Sequence, residues 1–584
     1  MNHAVLRDAA TGRWLEFTAP RAIIAAHAVA DVRPALRAVE DAVERRGLHA
    51  AGFVGYEAAP AFDTAFEVRP AGRLPLLWFG LFDAPRVRDI APLPPGSGAA
   101  REWLAAIGRD EYDRAFARIK ALIARGDTYQ VNYTFRLRAA LAAEDAWDFF
   151  VRHMALRAPE FGAFIALPGW TVCGASPELF FRLDGDRLES RPMKGTRPRG
   201  RFRAEDDARA AELLASEKDR AENVMIVDMV RNDMGRVART GSVVTPHLFA
   251  IERHPTVLQM TSTVRGETRA PLSDIFAAMF PAASITGAPK ARSMQIIAAL
   301  ESSPRQVYTG AVGFIAPGRR AQFNVAIRTA LVDHAAGAAE FGIGGGIVWD
   351  SRVDDEYAES GVKAGLLREP PREFDLIETL LWLPEAGYPL RERHLARIAE
   401  SAAFFGRPLD ADRVRTELDT LAAAFAPVPQ RVRVSVAADG AVRCEAAPLA
   451  AAPERPRRVA VARGPVDSTD AFLLHKTTAR DVYRAALASR PGCDDVVLYN
   501  ERGEVTETTI ANLVVEVDGV RATPPVVCGL LPGVQRARLL EDGVVCERVI
   551  TLAELLASPR VWLVNSVRGM WEVDVVAAET PTPA

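Results

Sequence analysis

The stretch LLREPPREFD, Leu366 to Asp375, constrains how this chain can fold more than any other feature of the sequence. Paired prolines flanked by charged residues end a helix and mark a domain boundary. The chain has 584 residues. A single hydrophobic core does not extend over that length, so about two to four domains are expected. We therefore predict one domain over residues 1–368 and another over residues 374–580.

A second break lies in DAPRVRDIAPLPPGSGAARE, Asp83 to Glu102, which is rich in proline and glycine and predicts a linker or long loop. It separates residues 1–100, to which the sequence assigns no role, from a region of distinctive motifs at residues 110–365.

Composition excludes several classes of protein. The net charge of -3 provides no global basic field for nucleic acid. No apolar run approaches the ~20 residues that span a bilayer, and the N-terminal MNHAVLRDAATGRW has no apolar signal core. The 5 cysteines are scattered without a C-x-x-C pair, which argues against disulfides and structural zinc. We expect a cytoplasmic protein that binds neither nucleic acid nor a membrane.

Helical and strand patterns alternate along the chain. DEYDRAFARIKALIARGD has apolar residues at helical spacing, and TYQVNYTFRLRA switches to period two, with Tyr129, Val131, Tyr133, Phe135 and Leu137 on one face. Residues 206–237 predict one long helix. The last third mixes strands such as RVRVSVA and DVVLYN with helices such as RHLARIAESAAFF. The predicted fold class is α/β or α+β, in two unequal catalytic blocks.

Lysine is rare in this chain and therefore informative. Lysine and arginine together number 72, yet the lysines are only Lys120, Lys194, Lys218, Lys290, Lys363 and Lys476. Arginine keeps its proton in a protein and cannot act as an amine nucleophile. Lys194, in the arginine-rich turn SRPMKGTRPRG, is therefore a candidate for amine chemistry, with chance survival as the alternative.

Carboxylates recur at helical spacing in two separate segments. Glu222 enters an apolar helix face in SEKDRAENVMIVDMVRND, where a carboxylate needs a partner or a metal. After the glycine run GIGGGIV, Glu356, Glu359 and Lys363 follow at spacings of three and four. Carboxylates without nearby histidine or cysteine suit Mg²⁺, and Arg328 with Lys363 suits another carboxylate of a substrate. Spacing alone predicts a Mg²⁺-dependent enzyme acting on a small acidic molecule.

The ordered motifs GDTYQVN, ASPELF, PMKGT, SEKDRAENVMIVDMVRNDMG, FPAASITGAPKARSM, YTGAVGF, NVAIRT and GGGIVWDS resemble the chorismate-utilising enzyme family. The resemblance covers about residues 110–365 and implies an α/β sandwich with the site between its sheets. It implies that Glu222 and Glu359 hold Mg²⁺ and that Glu178 is the general acid for departure of the C4 hydroxyl of chorismate. The residues it assigns to the carboxylates of chorismate are Arg328, Lys363 and the backbone of Gly344, Gly345 and Gly346.

The same resemblance gives Lys194 a role. Anthranilate- and isochorismate-forming members typically carry P-x-A-G at this motif, whereas aminodeoxychorismate-forming members carry P-x-K-G-T. An enzyme amine can add at C2 and expel the C4 hydroxyl, after which ammonia adds at C4 and expels the lysine. Cations such as Arg191, Arg197 and Arg199 are expected to favour the neutral amine. Gln259 departs from the histidine of many members, which leaves a proton-shuttle role there open.

The C-terminal block contains the last lysine, Lys476, after Phe472, Leu473 and Leu474. A buried lysine followed by a glutamate suits pyridoxal phosphate, because the lysine can form a Schiff base and the carboxylate can protonate the pyridine nitrogen. The glycine-started helix in GLLPGVQRARLL offers open N–H groups to a phosphate.

Residues 374–572 resemble the fold-type IV pyridoxal phosphate enzymes, which implies a two-lobed domain. The motifs are FDLIETLLW, RHLARIAESAAFFG, AFLLHKTTARDVY, the stretch containing Glu507, and NSVRG. By this resemblance Lys476 is the Schiff-base lysine and Glu507 pairs with the pyridine nitrogen. The resemblance also implies that Arg397, Gly533 and Val534 bind the phosphate. At the next position Gln535 replaces a threonine of the family.

Together the two resemblances imply p-aminobenzoate synthesis for folate: chorismate plus ammonia gives 4-amino-4-deoxychorismate, which then loses pyruvate. No G-x-C-x-G element is present, so ammonia is expected from solution or from a separate glutamine amidotransferase subunit. Three alternatives stay open at this point. In the first the N-terminal half forms anthranilate or isochorismate, in the second the C-terminal half is a true aminotransferase, and in the third one half is an inactive scaffold.

Overall fold

The computed structural model describes residues 2–91, 93, 101–367, 372–450 and 457–576. The chain divides into two compact units, the first formed by residues 1–197 with 212–371 and the second by 198–211 with 372–584. Residues 198–211 thus group with the second unit, although the division drawn from the sequence places them in the first. Parts of both predicted breaks, residues 94–100 and 368–371, lie outside the described residues.

Strands make up most of the first unit. In chain order they are β1 (His3–Asp8), β2 (Arg13–Phe17), β3 (Ala22–Ala26), β4 (His49–Val54), β5 (Leu77–Phe82), β6 (Arg86–Arg88), β7 (Leu104–Ala105), β8 (Gln130–Ala140), β9 (Phe161–Leu167), β10 (Trp170–Ser176), β11 (Leu179–Asp184), β12 (Arg187–Arg191), β13 (Met193–Pro198), β14 (Val244–Arg253), β15 (Val257–Glu267), β16 (Gly287–Ala288), β17 (Ala311–Ala316), β18 (Arg320–Val325), β19 (Thr329–Asp333) and β20 (Ala338–Ile347).

These strands form two sheets. The first has the order β16-β8-β20-β19-β10-β9-β1-β2-β6, with β7 on β8, and the second has the order β13-β15-β12-β11-β18-β17-β4-β5-β3, with β14 on β15. Neighbours are antiparallel where their register is given, and β8 pairs with β20 along its length, placing Gly345 opposite Tyr133 and Gly346 opposite Asn132.

The helices of the first unit are α1 (Val29–Arg46), α2 (Arg109–Ala124), α3 (Ala146–His153), α4 (Arg203–Ala215), α5 (Glu217–Gly235), α6 (Leu272–Met279), α7 (Lys290–Leu300) and α8 (Val353–Lys363), of which α4 begins in the second unit. One buried cluster joins α1, α5 and α6 to the second sheet, and another joins α2, α3 and α7 to the first sheet. A third cluster combines residues of both sheets, such as Ile165 and Phe53. The first unit is therefore a sandwich of two sheets with helices on its outer faces.

Local predictions mostly hold. The helix of DEYDRAFARIKALIARGD is α2 and the strand of TYQVNYTFRLRA is β8. Val131 and its alternate neighbours pack in one cluster, but Tyr129 precedes the strand and is 69% exposed. The prediction of a single helix over residues 206–237 is wrong, because the helix is interrupted at Ser216, between α4 and α5. The Ser216 side chain caps α5 by accepting from the Asp219 N–H, and a capping residue starts a new helix.

The second unit contains β21 (Leu376–Trp382), β22 (Gln430–Val436), β23 (Val442–Pro448), β24 (Arg457–Val461), β25 (Asp495–Tyr499), β26 (Val505–Thr508), β27 (Asn512–Val517), β28 (Val520–Thr523), β29 (Cys546–Glu547), β30 (Val561–Asn565) and β31 (Gly569–Val576). Its helices are α9 (Arg391–Phe404), α10 (Ala411–Ala422), α11 (Asp481–Ala488), α12 (Val534–Glu541) and α13 (Leu552–Ala557).

Two separate hydrophobic cores give the second unit two lobes. The sheet β21-β22-β23 packs against α9 and α10. The sheet β26-β25-β24-β31-β30-β27-β28-β29 has its own cluster. The mixed α/β class predicted for both halves is confirmed. Across the described ranges, no helix combines the length and the apolar character that a membrane crossing requires.

Candidate active sites

Lys194 lies in strand β13, not in the turn that the sequence predicts, and the backbone around it has little freedom. Gly195 follows it with φ of 90°, a conformation that favours glycine. A Cβ added there would lie 3.1 Å from Asp219 Cβ on α5. Gln259 Nε2 donates to Gly195 O at 2.8 Å, and Thr196 Oγ1 donates to Gln259 Oε1 at 2.9 Å. In this structure Gln259 therefore holds the part of β13 that follows Lys194.

The amine of Lys194 lies beside the glycine run of β20. A Cβ added to Gly346 would be 2.9 Å from Lys194 Nζ and would collide with Gln130 Nε2. Gln130 is 1% exposed, and within the described residues neither its Nε2 nor its Oε1 has a hydrogen-bond partner. An unpaired buried amide points to a ligand that would pair it. The motif GDTYQVN contains Gln130, but sequence reasoning did not identify this buried polar residue at the start of β8 as part of the site.

The charges around Lys194 differ from the expectation. Each of the three arginines offered as its neighbours pairs with carboxylates: Arg191 with Glu160 and Glu252, Arg197 with Asp219, and Arg199 with Asp206. Acidic groups interact with the lysine instead: burial raises the pKa values of Glu178 and Glu222 and the charge of Lys194 opposes that rise, while Lys363 and, less strongly, Lys194 lower the pKa of Glu359. The lysine amine thus lies in an acidic site.

Glu178 lies between β10 and β11 and is only 3% exposed. Burial raises the pKa of its carboxyl to about 7, although the hydroxyl of Ser284 and the amine of Lys194 pull it down. Ser284 Oγ donates to Glu178 Oε1 at 2.5 Å. A carboxyl with this pKa carries a proton part of the time at neutral pH, so Glu178 can serve as a general acid.

The glycine run Gly344–Gly346 has one open edge. It pairs with β8 on one side, whereas β19 pairs with β20 only over residues 338–341. Lys363 Nζ donates to Gly344 O at 2.8 Å. A Cβ added to Gly345 would be 3.2 Å from Glu356 Oε2, so glycine leaves space for a ligand beside these charged groups.

Two predicted metal ligands lie on separate helices, Glu222 on α5 and Glu359 on α8. Both interact with Lys194 and Lys218, which places them in one region. Burial raises the pKa of Glu222, whereas Lys363, 2.8 Å away, lowers the pKa of Glu359. The described residues contain no group of three or more possible ligands from His, Cys, Asp and Glu. Two carboxylates fit Mg²⁺, which keeps several waters and binds substrate oxygens as well.

Arg328 is a cation without a carboxylate partner among the described residues. It has a φ of 50° between β18 and β19, and burial lowers the pKa of its guanidinium to about 10. A desolvated guanidinium is stabilised by a carboxylate or phosphate. Its position suits the anion-binding role that the motif NVAIRT predicts.

The second site is a cavity of ≈ 470 Å³ in the second unit. It brings together the residues predicted for it, namely Lys476, Glu507, Arg397, Gly533 and Val534, and Gln535, which replaces a threonine of the family, also lines it. Burial, with a smaller effect of Arg397, lowers the pKa of Lys476 to about 8. A lysine with such a pKa supplies a neutral amine far more readily than an exposed lysine.

Glu507 is held at the cavity wall by two side chains. Tyr483 Oη donates to it at 2.8 Å and Asn512 Nδ2 at 3.2 Å. Burial raises its pKa to about 7. A carboxylate in this setting favours a cationic N–H partner, such as a protonated pyridine nitrogen.

The N-terminus of α12 lines the cavity and is the end for which phosphate binding is predicted. Gly533 caps the helix, and a Cβ there would collide with Asn512 Oδ1. Val534 and Gln535 follow in the first turn, where backbone N–H groups are free for a phosphate. Arg397 binds Glu378 through two contacts of 2.8 Å and donates to Pro532 O at 3.0 Å, so Glu378 holds it at the cavity. The donor set fits pyridoxal phosphate.

Sequence reasoning missed several polar residues that line this cavity: Thr379, Arg431, Arg433, Arg480, Thr508, Thr509, Asn512 and Ser566. Thr508 and Thr509 follow Glu507 in VTETT, which was the available signal. Asn512 lies five residues after Glu507, and Arg480 and Ser566 lie within the motifs AFLLHKTTARDVY and NSVRG, whereas Arg431 and Arg433 come from β22, which only the fold brings to this cavity.

The fold and the two sites define a two-domain enzyme with one acidic, glycine-walled site and one buried-lysine cavity. Residues 2–369 match the model of the chorismate binding enzyme family, and the chain belongs to that family. Residues 375–576 match the model of amino-transferase class IV, which implies pyridoxal phosphate. Both family resemblances stated from the motifs are confirmed.

Curated relatives align with the first half. Aminodeoxychorismate synthase component 1 of Bacillus subtilis is 38% identical over 290 residues, 49% of this chain and 60% of that protein. Anthranilate synthase component 1 1 of Haloarcula marismortui is 41% identical over 254 residues, 43% of this chain and 51% of that protein. The matches to the first relatives span 40% to 60% of their length.

Solved structures support the fold of the first unit. Anthranilate synthase component I from Streptococcus pneumoniae has a TM-score of 0.53 and 23% identity, covering 63% of this chain and 92% of that chain. At that identity the likeness concerns the fold alone.

Proposed function

We propose that this chain makes p-aminobenzoate in two steps, first converting chorismate and ammonia to 4-amino-4-deoxychorismate and water, then splitting that product into p-aminobenzoate and pyruvate. The observation that carries the proposal is the Lys194 amine beside Gly346, in one acidic site with the part-protonated Glu178. Relatives that differ in product are similarly close to this chain, so the lysine decides between them.

The first step uses Lys194 and Glu178 in separate roles. The neutral amine of Lys194 attacks C2 of chorismate, both ring double bonds shift, and the C4 hydroxyl leaves as water with a proton from Glu178. Ammonia then attacks C4, both double bonds shift back, and the C2–N bond to Lys194 breaks. One proton of the added ammonia returns to Glu178, so the lysine amine and the acid are regenerated. Arg328, Lys363 and the open edge of Gly344–Gly346 hold the substrate's carboxylates.

Glu222 and Glu359 are the residues that would hold Mg²⁺ in this site. The ion would bind a substrate carboxylate and offset the negative charge around Lys194. The two carboxylates lie on different helices, so substitution of either one removes a ligand without removing the other.

In the second step the chain's residues hold the cofactor and move one proton. Pyridoxal phosphate supplies an electron sink for the carbon that bears the amino group. Lys476 would carry the cofactor and, once displaced by the substrate amine, remove the ring proton at that carbon. Glu507 would hold a proton at the pyridine nitrogen, and Gly533, Val534 and Arg397 would bind the phosphate. Loss of the enolpyruvyl group as pyruvate leaves an aromatic ring.

Ammonia is proposed to come from solution or from a separate glutamine amidotransferase subunit. The Bacillus subtilis relative is named component 1, which is consistent with a second component for that protein. The chain itself shows no cysteine in a G-x-C-x-G setting.

The test incubates the purified full chain with chorismate, Mg²⁺, ammonium and pyridoxal phosphate and separates the products chromatographically. We expect p-aminobenzoate and pyruvate in equal amounts. Anthranilate as the product would replace the proposed first step with that of the alternative synthase. Accumulation of 4-amino-4-deoxychorismate without p-aminobenzoate would refute the second step, and the Lys476→Ala variant provides the matched reference for that outcome.

A further inference from the structure

A short segment from the first half of the sequence belongs to the second unit. The chain leaves the first unit after Arg197 and returns at Glu212, so residues 198–211 fold with residues 372–584. Within the second unit, Phe202 packs against a buried cluster of Val466, Leu473, Leu474, Tyr483 and Leu498. Two members, Leu473 and Leu474, come directly before His475 and Lys476 in the chain.

Hydrogen bonds fasten the segment to the same unit. Arg199 Nη2 donates to Phe404 O at 2.9 Å, and its guanidinium lies 4.7 Å from the centre of the Phe404 ring. Arg201 Nη1 donates to Ser468 O at 3.2 Å. The segment is thus attached through its side chains on both sides of the backbone carbonyl of Arg201.

That carbonyl holds the side chain that precedes Lys476. His475 is 6% exposed, its Nε2 is 3.1 Å from Arg201 O, and its Nδ1 is 2.9 Å from Ser401 Oγ. The ring also stacks on Phe404 at 4.5 Å. A carbonyl only accepts, so Nε2 carries the proton and donates it, and Ser401 donates to Nδ1.

Burial also keeps this imidazole neutral, because it lowers the pKa of His475 to about 4. A neutral ring has one N–H, and Arg201 O is its partner. Without residues 198–211 this buried N–H would lose that partner, and the ring would lose the contact that fixes its tautomer and orientation.

We propose that residues 198–211 are a positioning segment of the lyase site, which orients His475 and through it Lys476. The inference rests on the proposed lyase function. It assigns to the second site a part that its own half of the sequence does not contain. Neither His475 nor the segment touches the reacting atoms in this assignment, so both act through the lysine.

The test uses the full chain with three single variants and one double variant. Phe202→Ala removes the segment's apolar anchor, and His475→Phe keeps a ring on Phe404 while removing the N–H. Arg203→Ala is the control, because Arg203 follows Phe202 directly at the start of α4, is exposed, and forms an ion pair only with Asp207 among the described residues. Three quantities are measured: pyruvate release from supplied 4-amino-4-deoxychorismate, synthase activity with chorismate, and the affinity for pyridoxal phosphate by equilibrium dialysis.

We expect Phe202→Ala and His475→Phe each to reduce lyase kcat roughly tenfold to a hundredfold, the scale of a small misplacement of a reacting group. Synthase kcat should stay within about twofold of the unmodified chain, and Arg203→Ala should change nothing. The double variant should lose little more than either single variant, because both changes act on one contact.

A positioning role also predicts a spectroscopic change that general loosening does not. The pH at which the visible band of the bound cofactor changes should move in both variants, because Lys476 lies among Arg397, Arg480, Glu378 and Glu507 and a shift of its amine alters those interactions.

Unchanged lyase kcat, cofactor affinity and band in both variants would overturn the inference, as would an equal loss of synthase activity. Additive losses in the double variant would separate His475 from the segment and also contradict it. If the unmodified chain releases no pyruvate, the proposed lyase function fails. The affinity for pyridoxal phosphate and the pH at which the visible band changes then still test whether residues 198–211 position Lys476. Should Phe202→Ala not fold, His475→Phe alone carries the test.

Discussion

Glu178→Gln separates the catalytic role of this carboxyl from its effect on stability. Glutamine has the same shape and can keep the hydrogen bond from Ser284, which donates at 2.5 Å in the structure. It carries no ionisable proton. The variant is therefore expected to fold, to bind chorismate and to lose the general acid of the first step.

Two magnitudes decide the expected loss of activity: the pKa of Glu178 and the usual cost of removing a general acid. Burial raises the pKa of Glu178 from 4.5 to about 7. Loss of a positioned general acid typically costs about 10²-fold to 10⁴-fold in kcat. In the unmodified chain the protonated fraction of Glu178 falls from roughly nine tenths at pH 6 to about one tenth at pH 8. The ratio of synthase kcat in the unmodified chain to that in Glu178→Gln should therefore decline by about tenfold across that range, because both chains share the Lys194 amine.

Glu178→Gln is expected to lose activity but to gain stability. A carboxyl whose pKa is higher in the folded state than in the unfolded state destabilises the fold increasingly as pH rises from 4.5 through about 7. Each pKa unit corresponds to about 1.4 kcal/mol, so the full effect on the free energy of unfolding is about 3 kcal/mol. Glu178→Gln should therefore gain stability relative to the unmodified chain between pH 5 and pH 8.

The assay follows chorismate loss at constant free ammonia from pH 6 to pH 9, alongside urea unfolding at pH 5 and pH 8. Glu178→Asp is the matched control: it keeps a carboxyl, so the ratio of its rate of chorismate loss to that of Glu178→Gln should still fall as pH rises. The reasoning is refuted if Glu178→Gln keeps wild-type kcat, or if its activity declines with pH as the unmodified chain's does.

Three further predictions concern the two sites. Lys194→Ala should abolish formation of 4-amino-4-deoxychorismate, or redirect it, while still converting supplied 4-amino-4-deoxychorismate to p-aminobenzoate; a wild-type synthase rate with ammonium would exclude the nucleophile role. Glu222→Gln and Glu359→Gln should each reduce synthase activity by about 10²-fold and leave the lyase untouched, and full synthase activity in EDTA would contradict the metal assignment. Gly533→Ala should weaken pyridoxal phosphate binding by at least about tenfold, because its Cβ would collide with Asn512 and disturb the helix N-terminus; unchanged affinity in equilibrium dialysis would place the phosphate elsewhere.

Much of the candidate chemistry could be predicted because it resides in local motifs. PMKGT, the two glutamate-bearing helices and the lysine of AFLLHKTTARDVY are short segments whose residue types already suit amine, metal and cofactor chemistry. The structure adds the reason for one of their glycines, since Gly195 needs both a positive φ and contact with α5. Candidate roles that depend only on the chemistry of a side chain could therefore be predicted from the sequence without the fold.

Features that depend on long-range packing could not be predicted from the sequence. The break at Ser216 rests on a single capping hydroxyl within a pattern that otherwise continues as a helix. Gln130 stands out only when its neighbours Gly346 and Lys194 are known. The arginines near Lys194 in sequence form ion pairs with other carboxylates, so proximity along the chain did not show which charged groups surround the lysine.

The most direct test of the two-site account is product analysis of the full-length Lys476→Ala variant. With chorismate, Mg²⁺ and ammonium it should consume chorismate at the unmodified rate, accumulate 4-amino-4-deoxychorismate, and release neither pyruvate nor p-aminobenzoate. Arginine at this position should not restore the lyase, because it keeps its proton. Pyruvate release by Lys476→Ala from supplied 4-amino-4-deoxychorismate at the unmodified rate would contradict the account.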